Sequence, residues 1–112
     1  MTRQLKLYVS GLGPMSGLPY HNFPAFNAAA AKLRAAGYEV VNPAEFEENI
    51  GRSWIRCIIH DLQELAPCDA VATLPDWQDS PGANVEVIAA VREEKIVDSV
   101  EGWLELAYNS AA

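Results

Sequence analysis

Asp69-Ala70-Val71-Ala72-Thr73-Leu74, then Pro75-Asp76-Trp77-Gln78-Asp79-Ser80-Pro81, then Gly82-Ala83-Asn84-Val85-Glu86-Val87-Ile88-Ala89-Ala90, is the stretch that decides the fold. The first part is a largely continuous apolar run, the mark of a strand covered on both faces in a parallel sheet. The second is a loop. The third begins a helix, Gly82 to Glu94, that is apolar on nearly all sides until Arg92, as in a helix packed deep against a sheet or a partner. One residue breaks this pattern. Glu86 lies about one turn into the helix, and an ionisable group in such company must be neutralised, hydrogen-bonded or put to use.

The chain on either side alternates in the same way. Leu5 to Val9 is a β-prone run, ended by Ser10-Gly11-Leu12-Gly13-Pro14. Asn22 is placed to cap a helix with Pro24 in its first turn, carrying Phe23, Phe26, Ala30 and Leu33 at helical spacing and closed by Gly37. Tyr38 to Asn42 reads as a second strand stopped by Pro43, and Ala44 to Arg52 as an irregular connection or short helical turn. Ser53 caps a second helix. Its helical periodicity gathers Trp54, Ile55, Ile58, Ile59, Leu62 and Leu65 in one apolar arc, with Arg56, His60, Gln63 and Glu64 opposite and His60 pointing to solvent. Asp61 falls at the edge of the apolar arc and is the second carboxylate in an unexpected place. Lys95-Ile96-Val97 is a short fourth strand, and Val100, Trp103, Leu104 and Ala107 mark a last amphipathic helix.

Strands alternating with helices imply right-handed crossovers. The expectation is a single domain over 1–112: a small doubly wound, flavodoxin-like α/β fold with a four- to five-stranded parallel sheet and helices on both faces. With strand order 2-1-3-4, the switch point falls between strands one and three, where ligands of such sheets bind. The loops meeting there are Ser10 to His21 and Pro75 to Ser80, with Glu86 just inside the next helix.

Composition narrows the function. A chain of 112 residues, half of them hydrophobic, can bury one core without staples. A net charge of -7 with eight Lys and Arg gives no basic surface for duplex nucleic acid. No apolar run is long enough to span a bilayer, and Met1-Thr2-Arg3-Gln4 leads into a strand without a cleavable signal pattern, so a cytoplasmic protein is expected. Cys57, Cys68, His21 and His60 lack metal-ligand spacing, and buried thiols are expected. Gly11-Leu12-Gly13 lacks the dinucleotide fingerprint and the lysine of a phosphate loop, and no cofactor is expected.

Glu86 near a helix N-terminus is favoured as an anion, and Ala83, Ala89 and Ala90 leave open space above it. Such a carboxylate can be a nucleophile at a sugar anomeric carbon, with Asp76 or Asp79 as the second acid and Trp77 and Tyr20 stacking a planar ring. Structural alternatives stand beside these: Glu86 as a dipole partner, Asp61 accepting from a loop backbone, Trp77 as core or interface, Tyr8 as an ordinary strand aromatic.

Leu7-Tyr8-Val9-Ser10-Gly11, His60-Asp61-Leu62 before Cys68-Asp69-Ala70-Val71, and Ser80-Pro81-Gly82-Ala83-Asn84-Val85-Glu86 resemble the nucleoside 2-deoxyribosyltransferase-like superfamily, which includes deoxynucleoside monophosphate N-glycosidases. More narrowly, Gly13 to Gly17, Asn22 to Asn27 and Val41 to Glu45 look like a small branch common in phages and prophages. The resemblance implies that Glu86 attacks the anomeric carbon of a 2-deoxyriboside, that Tyr8 orients it, and that Asp61 holds the sugar or the nucleophile. It implies Asp76 or Asp79 at the base, with Trp77 beside it. Ser10, Gly11, Met15, Ser80 and Gly82 would contact substrate, and a homodimer or higher oligomer, with the third helix and Trp103 at the interface, would complete each site. Ser10 to His21 holds no Lys or Arg, which leaves a 5'-phosphate to backbone amides and Ser16 unless Arg52 or Arg56 reaches over. The expected ligand is a small nucleoside or nucleotide. The expected activity is an N-glycosidase or deoxyribosyltransferase, with a non-catalytic nucleotide or nucleotide-signal binding protein as the alternative.

Overall fold

The computed structural model describes residues 4–13 and 19–111. Met15 and Ser16, and the side chain of Tyr20, lie outside the described residues. Four strands, β1 (Lys6–Ser10), β2 (Glu39–Val41), β3 (Ala70–Thr73) and β4 (Ile96–Ser99), alternate with four helices, α1 (Phe23–Ala35), α2 (Trp54–Leu65), α3 (Pro81–Arg92) and α4 (Val100–Ala111). The sheet is all parallel in the order β2-β1-β3-β4, as expected, and Tyr8 pairs with Val71 and Ser10 with Thr73 across its centre.

Alternation along β1 and β3 divides the core. Leu7, Val9, Ala70 and Ala72 face α1 and α4, where Phe26, Ala30, Leu33, Val100 and Trp103 complete one cluster. Tyr8 and Val71 face α2 and α3, packing with Leu65 and Ala90. The fold is therefore an α/β sandwich with helices on both faces. Ser10 shares the parity of Tyr8, so its hydroxyl points toward α3.

Local chemistry explains the element ends. Gly37 takes a φ of 104° just past α1, a left-handed conformation that glycine adopts without strain. Ser53 caps α2, its Oγ accepting from Arg56 N at 3.4 Å. Lys95, just ahead of β4, donates from Nζ to the Leu65 and Ala66 carbonyls at 3.0 and 2.8 Å, so it closes the C-terminus of α2.

Several expectations are corrected. Asn22 stands at the N-cap of α1, but its side chain makes no cap bond: it sits in the left-handed region at φ 61°, which Asn tolerates, and donates from Nδ2 to Leu12 O at 2.9 Å. His60 does not point to solvent. Its side chain is 15% exposed, because Phe46, from the connection before α2, lies edge-on to the imidazole at 4.9 Å between centroids. Trp103 is core, not interface: it is 4% exposed, donates from Nε1 to Val71 O at 2.9 Å, and meets Tyr38 edge-on. The two outer helices are less covered than their apolar sequences suggest, since Ile55 and Ile59 on α2 and Ile88 and Val91 on α3 are exposed. Cys68 is buried, while Cys57 is half-buried.

Candidate functional site

Ser80 starts α3 by accepting from Ala83 N through Oγ at 3.1 Å, with Pro81 in the first turn. That start fixes the helix register. Ala83, Glu86, Val87 and Ala90, at helical spacing, turn inward, and Glu86 arrives beneath the carboxyl ends of β1 and β3. Glu86 is 5% exposed. Tyr8 Oη donates to Glu86 Oε2 at 2.6 Å, and Ser10 Oγ donates to Oε1 at 2.7 Å. The donors are alternate residues of β1, so one face of the strand holds both carboxyl oxygens.

The third partner is Asp61. Ile58, Asp61 and Leu65 share one face of α2, at i, i+3 and i+7, and the Asp61 side chain is in hydrogen-bonding contact with Glu86. Asn49, in the 3-10 turn Glu47–Asn49, donates from Nδ2 to Asp61 Oδ1 at 3.0 Å. The space that small neighbours were expected to leave above Glu86 is thus filled by protein groups.

Burial is the largest influence on this pair. It pushes Glu86 up to about 8, helped by the adjoining Asp61 carboxylate and opposed by the Tyr8 and Ser10 donors. Burial also raises Asp61, opposed by Asn49. Burial and then Glu86 hold the Tyr8 phenol well above its ordinary value. The adjoining carboxyls hinder each other's ionisation, while two hydroxyl donors favour the anion at Glu86. We assign one proton to the pair, which titrates as a unit.

The other expected residues are placed as follows. Ser10, expected at substrate, is buried against Glu86. Gly11 follows it, and a Cβ there would stand 2.8 Å from Leu74 Cβ, so close backbone packing requires glycine. Gly82 lies against α2, its missing Cβ 3.0 Å from Ile58 Cδ1. Ser80 is buried and engaged in capping. Asp76 and Asp79 are exposed and Trp77 is half-buried in the loop between β3 and α3. The partners of the Glu86 carboxyl come from β1 and α2, not from this loop. Arg52 and Arg56 are exposed and border a shallow cleft of about 240 Å³ with Ile59, His60 and Gln63, whose lining does not include Glu86. Asn49 was not expected: it lies in a connection without periodicity. Among the described residues no cluster of three or more His, Cys, Asp or Glu is arranged to hold a metal, and no helix is long and apolar enough to cross a membrane.

Fold and site together define a small doubly wound α/β domain with a carboxyl pair, Glu86 buried and Asp61 half-buried, under its topological switch point. The chain belongs to the family described as Domain of unknown function (DUF4406), which matches residues 5–98. No curated protein matches it.

Proposed function

We propose that the protein cleaves the base–sugar bond of a 2-deoxyribonucleoside or its 5'-monophosphate, by hydrolysis or by transfer, as its resemblance to the nucleoside 2-deoxyribosyltransferase-like superfamily implies. The observation that carries this reading is Glu86, held by Tyr8 and Ser10 and set against Asp61 at the switch point. With the shared proton on Asp61, a Glu86 oxygen attacks the anomeric carbon. The carbon–nitrogen bond breaks, its electron pair leaves with the base, and Asp76 or Asp79 supplies the base with a proton. Water or a second base, giving its proton to the same, now ionised, Asp, then attacks the same carbon and frees the Glu86 carboxylate. Incubation with a panel of deoxynucleosides and their monophosphates should release free base, followed by chromatography; no release from any of them would reject the reading.

The burial of Glu86, 5% exposed with both oxygens hydrogen-bonded, favours a second reading, in which a nucleotide is bound without turnover. Calorimetric binding with no base release would select it.

A cytoplasmic homodimer or higher oligomer is part of the proposal. Ile55, Ile59, Ile88 and Val91 expose apolar surface on α2 and α3, the two helices that carry Asp61 and Glu86, and such surface favours association. Light scattering after size exclusion should give at least a dimer mass, and Ile59→Lys should lower it; a monomer at all concentrations contradicts this part.

A further inference from the structure

Asn49 ties the turn before α2 to that helix at two points. Its Nδ2 donates to Asp61 Oδ1 at 3.0 Å, and its backbone carbonyl accepts from Cys57 Sγ at 3.6 Å. Its own Oδ1 is enclosed and has no partner. An unpaired buried acceptor is disfavoured, so something keeps the amide as it is. Turning it over would set its oxygen against a carboxyl oxygen, so Asp61 dictates the orientation. The amide is retained for its donor end.

We propose that Asn49 is a positioning residue: its amide fixes the rotation of the Asp61 carboxyl so that it meets Glu86, and thereby makes the two carboxyls one proton-sharing unit. The effect on rate rests on the glycosidase reading above, whereas the pairing does not. In this proposal Asn49 acts through Asp61 and not on the sugar or the base. The groups facing the pair are Tyr8 from β1 and, on α2 itself, Cys57, His60 and Glu64; all are unchanged in the variants that test the proposal.

The test is a titration of the Glu86 and Asp61 side-chain carboxyl carbons by ¹³C NMR in the ligand-free protein, for the parent chain, Asn49→Ala and Asn49→Asp. Removing a donor to a carboxylate favours its protonated form, so Asn49→Ala should move the upper apparent midpoint of the pair upward by roughly one pH unit. Asn49→Asp, nearly isosteric, adds a third carboxyl and should move it further; either folded variant decides the matter. Titrations in the variants that superpose on those of the parent chain overturn the proposal. Where the parent chain releases base, the pH profile of Asn49→Ala should shift by the same interval, with kcat about tenfold lower at neutral pH and KM little changed. A parent chain that releases no base defeats the glycosidase reading alone, and the carboxyl titration still decides the role of Asn49.

Discussion

Glu86→Ala is expected to reduce base release by roughly a thousandfold or more, because a covalent route has no substitute for its nucleophile. The substitution also strands Tyr8 Oη and Ser10 Oγ, whose acceptor is this carboxyl. Two buried hydroxyls then lose a partner, at roughly 1–3 kcal/mol each, so the loss of activity must be separated from loss of fold. Glu86→Gln serves that purpose: it keeps a carbonyl oxygen for one of the donors and nearly the same volume, yet cannot attack carbon. Near-ultraviolet circular dichroism should show both variants folded at 20 °C or below, with Glu86→Gln the closer to the parent chain. Base release at the parental rate in either variant contradicts the role given to Glu86.

The second large effect is on stability. Glu86 has a folded pKa of about 8, above the roughly 4.3 of an exposed glutamate, because burial and Asp61 disfavour its charge. A carboxyl raised in this way is protonated in the fold where the unfolded chain is ionised. Its contribution is fully present below about pH 4 and is lost as pH rises through about 8. Asp61 is displaced in the same direction. Ionising the pair fully should cost a few kcal/mol, so Tm should fall by on the order of 10 °C between pH 6 and pH 9. The Cys68 thiol, pushed up to about 11 by burial, acts in the same direction but mainly above that interval. Glu86→Gln should flatten the dependence. Parallel Tm curves for the variant and the parent chain would show that the pair is not the group responsible.

The sheet was legible because its evidence is periodic. Leu5 to Val9 and Asp69 to Leu74 are largely apolar runs, the helices between them carry their own spacing, and the order of strands follows from handed crossovers. Glu86 was legible for the complementary reason, being the one acid among residues that all turn inward. Asp61 could be found from the same helical count, and Tyr8 as a neighbour through the family resemblance.

What escaped lies in contacts between elements with no shared period. Asn49 belongs to a turn whose sequence, Glu47-Glu48-Asn49-Ile50-Gly51, reads as a polar connection, and only the docking of that turn on α2 gives its amide a partner. His60 was placed on the solvent side because helical spacing sees one helix at a time; Phe46, more than three turns away in sequence, covers it. Trp103 has the spacing of an amphipathic face, and spacing alone does not say whether a neighbouring helix or a second copy covers that face. Here β3 and Tyr38 take it. The family resemblance points Ser10 at substrate, but pleat parity turns its hydroxyl to Glu86, a distinction that needs the packing of β1 against α3.

The most direct test of the central claim is the mass of the protein quenched with acid during turnover of a deoxynucleoside. The account predicts a fraction of the chain heavier by one 2-deoxyribosyl group, located to the peptide carrying Glu86 and absent in Glu86→Gln. Steady base release with no such adduct, or an adduct that persists in Glu86→Gln, would contradict it.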